Sequence, residues 1–294
     1  MSVTILDGGM GEAIFEAFGK PDDGWPLLGA LERPDVIANL HAEHLRAGAD
    51  IITTATYHQG RWHMNMNGAA DAFGPANRAA ARAAADARER VAPGALIAGG
   101  LGPVRHSYEV DSVPPPEVVE TEVLEQALVL AADVDFFLCE TLTTSPEALA
   151  ALKAARGAGR PVWVALTLHE MGVPTLRGGE PIGAVATLLY DHGAEAVLIN
   201  CTTPEQVDRA LPDLARAAAG RPFGAYANAF IPVPPDFGLG GSVDHPGVRE
   251  DLSPSAYAAH AAGWAADGAT IIGGCCGVGP AHIKAVADTV RPRP

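Results

Sequence analysis

A strand-length apolar run followed by a longer polar or alanine-rich stretch recurs along the whole chain, and that alternation constrains the fold more than any other feature. The runs are Val3 to Asp7, Asp50 to Thr54, Ala95 to Gly100, Val134 to Glu140, Pro161 to Leu168, Ala196 to Asn200, Pro222 to Asn228 and Ala269 to Gly273. Between them, Pro75 to Val91, Glu117 to Ala132, Pro146 to Arg156, Pro204 to Ala218 and Pro280 to Val290 carry apolar residues at helical spacing. Ser145-Pro146, Thr203-Pro204 and Ser253-Pro254 each read as an N-cap hydroxyl before a residue that needs no N–H partner. Gly48, Gly193 and Gly268 stand just before strands, where a left-handed residue ends a helix at little cost. Eight such units favour a closed (β/α)8 TIM barrel over an open sheet. A barrel of that kind takes about 250 residues, so the 294-residue chain reads as a single domain, 1–294.

Composition narrows the partners. Hydrophobic residues at 48% and charged residues at 19% are enough for a sizeable core and exclude wholesale disorder. Twenty Lys and Arg against 35 Asp and Glu give a formal charge of -15, which argues against nucleic acid and anionic lipid as partners. No apolar run reaches the roughly 18 residues of a membrane-spanning helix. The first residues, MSVTILDGGMGEAIFEAFGK, turn acidic early and lack the basic start and apolar block of a secretion signal, so a cytoplasmic address is expected. The four cysteines are too few and too unevenly spaced for a disulfide framework. Reduced thiols, available to a metal, are the expectation.

In a barrel, functional groups gather where strands end and helices begin. The links after strands 1, 2, 3, 5 and 7 are long, and the proline-rich NAFIPVPPDFGLGGSVDHPGVREDLS reads as a loop over the site. The end of strand 8 carries IIGGCCGVGPAHI, residues 271 to 283. Neighbouring side chains of a regular strand point to opposite faces, so Cys275 and Cys276 can meet one metal only where the backbone turns, which Gly273, Gly274 and Gly277 permit. Cys201, in LINCTTP, stands at the matching end of strand 6. Three thiolates there suit zinc and leave a fourth tetrahedral position for substrate. Any one of them could be a small buried hydrophobe; three at strand ends beside glycines or a helix cap favour the metal. Cys139, within an apolar strand, reads as core.

Asp7 and Glu140 end strands 1 and 4 on the same rim, with no lysine or arginine nearby in sequence. Each could cap a turn or helix; alternatively, both hold a substrate ammonium. Gly8, Gly9 and Gly11 would let a ligand approach the backbone closely. Trp25 and Tyr57 follow strands 1 and 2 and either wall the pocket or fill space. His41 and His44, one helical turn apart, read as packing or surface residues away from the rim, and nothing makes His169 a metal ligand.

The stretches DGGMG (7 to 11), ADIITTATY (49 to 57), ET (140 to 141), NCTTP (200 to 204) and GGCCGVGPAHI (273 to 283) resemble the homocysteine S-methyltransferases nearly end to end. The resemblance implies a (β/α)8 barrel with zinc on Cys201, Cys275 and Cys276, and a homocysteine amino group held by Asp7 and Glu140. It implies methionine as product. Two loops depart from the family pattern. Tyr226-Ala227-Asn228-Ala229-Phe230 replaces Tyr-Pro-Asn-Ser-Gly, and GPVRHSYEVDSVPPPE keeps Gly102-Pro103 but not the tyrosine-rich continuation. Betaine-using members carry extra C-terminal sequence and cobalamin-dependent synthases carry further domains, so a chain ending soon after the Cys-Cys helix is expected to use S-methylmethionine or S-adenosylmethionine. Acidic loop residues Glu109, Asp111, Asp236 and Asp244 suit a cationic donor better than a folate polyanion. The altered loops leave open another thiol or selenol acceptor, or a non-catalytic zinc- or thiol-binding protein.

Overall fold

Eight strands form one parallel sheet: β1 (Thr4–Ile5), β2 (Ile51–Thr53), β3 (Leu96–Leu101), β4 (Phe136–Leu142), β5 (Val162–Leu166), β6 (Ala196–Asn200), β7 (Phe223–Ala227) and β8 (Ile271–Gly274). The order β1-β8-β7-β6-β5-β4-β3-β2 leaves a seam between β1 and β2, which the parallel Leu6–Ile51 bridge closes. Across it Asp7 N donates to the Ile51 carbonyl at 3.0 Å and Asp50 N to the Ile5 carbonyl at 2.8 Å. The sheet is a barrel, as the alternation predicts. This computed structural model describes residues 3–19, 28–234 and 247–291, so Trp25, Asp236 and Asp244 lie outside the described residues.

The outer ring is α3 (Pro34–Ala47), α5 (Phe73–Val91), α6 (Pro116–Leu130), α7 (Ser145–Gly157), α8 (Ile182–Asp191), α9 (Pro204–Ala218), α10 (Pro254–Ala266) and α11 (Pro280–Val290). The short helices α1 (Gly11–Phe18) and α2 (Gly29–Glu32) occupy the link after β1, and α4 (Arg61–Met66) the link after β2. Among the described residues no helix is long and apolar enough to cross a membrane. Alanines explain the close fit of helix on sheet: Ala76, Ala80, Ala81, Ala83, Ala84 and Ala87 form the buried side of α5, where larger side chains would push it outward.

Strand alternation divides the core into two layers. Leu6, Ile51, Ala98, Leu138, Ala165, Leu198, Tyr226 and Ile271 fill the barrel interior. Ile5, Ile52, Ile97, Phe137, Val164, Ile199 and Ile272 face the helices, and Cys139 belongs with them, fully buried. Thr203 and Ser253 cap α9 and α10, their hydroxyls accepting from Gln206 N at 3.4 Å and Ala256 N at 3.3 Å. The expectation for α7 was one residue off. Thr144, with extended backbone, is its cap and accepts from Glu147 N at 3.4 Å, while Ser145 N donates to Glu180 at 2.8 Å. Gly48, Gly193 and Gly268 end their helices at φ 107°, 92° and 96°, in the left-handed region.

Candidate active site

The strand ends bring Cys201, Cys275 and Cys276 together. Cys201 follows β6 directly at φ 48°, and its N–H donates to the Tyr226 carbonyl at 3.2 Å. Cys275 and Cys276 follow β8 in a turn closed by Val278 N on the Cys275 carbonyl at 3.0 Å, with Gly277 at φ 73°. That turn aims two adjacent side chains at one point, and all three sulfurs lie within 4.8 Å of one another. A zinc ion about 2.3 Å from each thiolate with tetrahedral angles needs sulfurs about 3.8 Å apart. The Cys201–Cys276 and Cys275–Cys276 separations are 3.7 and 3.9 Å. Cys201–Cys275, at 2.8 Å, has to open by about 1 Å to match. The donor set therefore fits the metal in kind and nearly in spacing. The three thiols share one charge: hydrogen bonds from Cys275 and Cys276, and one from the Tyr108 hydroxyl at 2.9 Å, hold Cys201 well below the usual thiol range, while Cys275 and Cys276 are pushed well above it.

Gly8 and Gly9 sit where the chain end of β1 crosses this turn. Gly9 N donates to the carbonyls of Cys275 and Val278, both at 3.0 Å. A methyl group on Gly8 would lie 2.0 Å from the Val278 carbonyl oxygen, and one on Gly9 2.5 Å from that of Cys275. Glycine is required here for backbone contact with the Cys-Cys turn, a use added to the ligand approach that sequence suggests. His44, in α3, is buried and also reaches this place: its Nδ1 accepts from Gly8 N at 3.3 Å. Its placement away from the rim is thus corrected, because α3 leans its inner face on the end of β1. His41 is fully buried packing.

The thiols line a cavity of about 510 Å³ shared by Asp7, Gly8, Gly9, Tyr57 and Glu140. Asp7 accepts from Thr53 N at 2.7 Å and Thr53 Oγ1 at 3.1 Å. Glu140 does not end β4 as expected; the strand continues to Leu142 past an irregularity, with Thr141 at φ 63°. The irregularity aims Glu140 into the barrel mouth, where its Oε2 accepts from Tyr226 Oη at 3.2 Å. Neither carboxylate caps a helix. No lysine or arginine lines the cavity among the described residues, and burial raises the Asp7 carboxyl to about 7 and the Glu140 carboxyl to about 8.

Both shifts raise the folded-state pKa above the unfolded one, so folding takes up protons and stability is fully present below the ordinary carboxylate range. It is lost as pH rises through about 7 to 8. The ligand-free protein is therefore expected to lose stability, of order a few kcal/mol, between about pH 5 and pH 8.5 relative to Glu140→Gln. Denaturant midpoints of the two proteins across that range check it; parallel curves contradict it.

Several cavity residues escaped sequence reasoning. Glu12 lines it from α1, its carboxyl raised by burial; its place five residues after Asp7 was the only signal. Tyr226, in β7, and Tyr108, in the link after β3, stood in stretches notable in sequence solely as departures from a pattern, yet one touches Glu140 and the other Cys201. Tyr57, which sequence did single out, shares a hydrogen bond with Ser107 at 2.9 Å, the two coming from the links after the neighbouring strands β2 and β3. Trp62, edge-on to His63 and His106 at 5.1 and 5.0 Å, closes the side toward β2 and β3. His169 does not line the cavity.

The strand ends of this (β/α)8 barrel thus gather three thiols and two buried carboxylates around one cavity. Comparison with known proteins gives the family to which such a barrel belongs. The model of the homocysteine S-methyltransferase family matches residues 4–290, and the chain belongs to that family. It is 28% identical over 304 residues to betaine–homocysteine S-methyltransferase 1 of Rattus norvegicus, covering 99% of this chain and 72% of the relative. Over 287 residues it is 30% identical to S-methylmethionine–homocysteine S-methyltransferase BHMT2 of Rattus norvegicus, covering 91% and 73%. The homocysteine methyltransferase MmuM from Escherichia coli, in its oxidized form, superimposes with a TM-score of 0.80 at 25% identity, covering 97% of this chain and 95% of that one. Its metallated form gives 0.79 at the same identity.

Proposed function

We propose that this chain transfers a methyl group from a sulfonium donor, S-methylmethionine or S-adenosylmethionine, to the thiol of L-homocysteine, using zinc on Cys201, Cys275 and Cys276. The observation that carries this reading is the convergence of three thiols on the wall of a cavity whose carboxylates have no cationic partner there. The family match and the metallated MmuM structure support a metal at this rim. Zinc bound there would stabilise the substrate thiol as a thiolate at neutral pH while leaving its sulfur nucleophilic.

Asp7 and Glu140, oriented by Thr53 and Tyr226, hold the substrate ammonium and so fix the distance from amino group to sulfur. The walls built by Tyr57, Trp62, Phe15 and Phe230 exclude water and hold the donor over the thiols. In the transfer a new carbon–sulfur bond forms to the acceptor as the donor's sulfonium–carbon bond breaks, and the donor leaves as a neutral thioether. Holding both substrates in line accounts for a large part of such a rate.

The donor follows from charge. Asp7, Glu12 and Glu140 line the cavity, and burial keeps His58 and His63 neutral. The nearby Arg105, stacked over Trp62 at 5.4 Å, is neutralised by Glu122 at 2.9 and 3.0 Å. A cation is favoured and a polyanion disfavoured. In a panel of S-methylmethionine, S-adenosylmethionine, betaine and methyltetrahydrofolate, the sulfonium donors are expected to give methionine and the folate none. Product from betaine or folate alone would overturn the donor assignment and leave the thiol chemistry standing.

A further inference from the structure

Behind the thiols lies a buried cation that the proposed reaction does not use. Arg177, in the link between β5 and α8, is 6% exposed, and its Nε and Nη2 have no hydrogen-bond partner. A buried guanidinium is costly unless compensated. Two groups compensate it. Glu170 lies 3.9 Å from Nη2, itself fixed by Asn228 Nδ2 at 2.7 Å and Val233 N at 2.8 Å. The guanidinium also sits over the ring of Tyr108, its Cζ 4.0 Å from the centroid. Tyr108 adopts φ 69°, a region costly for a bulky residue unless its surroundings hold it. From that position its hydroxyl donates to Cys201 Sγ at 2.9 Å.

We propose that Arg177 is a positioning residue for the thiol centre, locking the Tyr108 ring by stacking and strengthening the O–H that the ring donates to Cys201. A cation over a phenol face draws electron density from the ring and makes the hydroxyl a better donor. A thiolate that accepts such a bond gives up nucleophilicity. Cys201 then serves as a ligand, and the substrate sulfur is the one that attacks. The inference rests on the zinc reading above and concerns how the protein divides roles among sulfurs that would otherwise compete for the methyl group. Arg177, Glu170, Asn228 and Tyr108 form one chain of contacts from the link after β7 to the sulfur of Cys201.

The test compares wild type with Tyr108→Phe, with the double variant Arg177→Met/Glu170→Gln, which removes both charges so that no lone carboxylate stays buried, and with all three changes combined. Zinc affinity by chelator competition and the sulfur-to-metal charge-transfer band of the cobalt(II)-substituted protein are read for each. Tyr108→Phe and the double variant are each expected to weaken zinc about 10-fold or more and to move the band to lower energy, because an unbonded thiolate donates more readily. The triple variant is expected to match Tyr108→Phe, since Arg177 acts through that ring. A double variant with wild-type affinity and spectrum, or effects that add in full, would overturn the proposal. Wild-type protein that takes up neither metal would overturn the zinc reading and this inference with it.

Discussion

Replacing Cys201, Cys275 or Cys276 by serine is expected to strip the metal and lower methionine formation by about 1,000-fold or more, while leaving the barrel folded. Serine keeps the shape of the side chain but offers a hydroxyl that stays protonated at neutral pH, so zinc loses one of its three protein ligands. Activation by the metal is worth several kcal/mol, and each 1.4 kcal/mol or so is a factor of ten in rate. The fold survives because Cys275 and Cys276 are only half-buried and Cys201 sits at the end of β6, outside the helix–sheet core. Cys139→Ser is the control. It places a hydroxyl among apolar groups and costs about 1–3 kcal/mol of stability, yet it keeps the zinc. Metal content by mass spectrometry, with circular dichroism, separates these outcomes, and full zinc occupancy in Cys275→Ser/Cys276→Ser would refute the ligand assignment.

Asp7→Asn and Glu140→Gln are expected to lower kcat/KM for homocysteine roughly 100-fold each, with far smaller losses for an alkyl thiol that lacks the amino group. Truncating one partner of a buried charged pair costs about 2–5 kcal/mol. The thiol without an ammonium has no such partner to lose. Both carboxylates are buried, and no lysine or arginine lines the cavity among the described residues, so the proposed role gives them the substrate ammonium as partner. Equal losses for the two thiols would assign Asp7 and Glu140 to holding Thr53 and Tyr226 instead.

The barrel and its thiols were legible because each leaves a local trace. Strand runs and glycine-marked helix ends repeat at domain scale, and a Cys-Cys pair among glycines can converge only at a turn. Asp7 and Glu140 were legible as rim acids, since strand ends point to the same mouth. What stayed hidden depends on side chains crossing between distant links. Tyr108 reaches from the link after β3 to Cys201 after β6, and Arg177 reaches Tyr108 from the link after β5. Nothing within either segment announces the contact. A second use of Gly8 and Gly9 stayed hidden for the same reason: the Cys275 and Val278 carbonyls that exclude a side chain there are some 270 residues away in sequence. Thr144 caps α7 in place of Ser145 because the chain is still extended at Thr144 and already helical at Ser145, whose N–H goes to Glu180 from another link.

Zinc-edge X-ray absorption of the purified, reduced protein, recorded with and without homocysteine, tests the central claim most directly. The account predicts about one zinc per chain in a sulfur-dominated shell, with sulfur distances near 2.3 Å and one more sulfur when homocysteine is added. A shell of nitrogen and oxygen, or a sulfur count that homocysteine leaves unchanged, would contradict it.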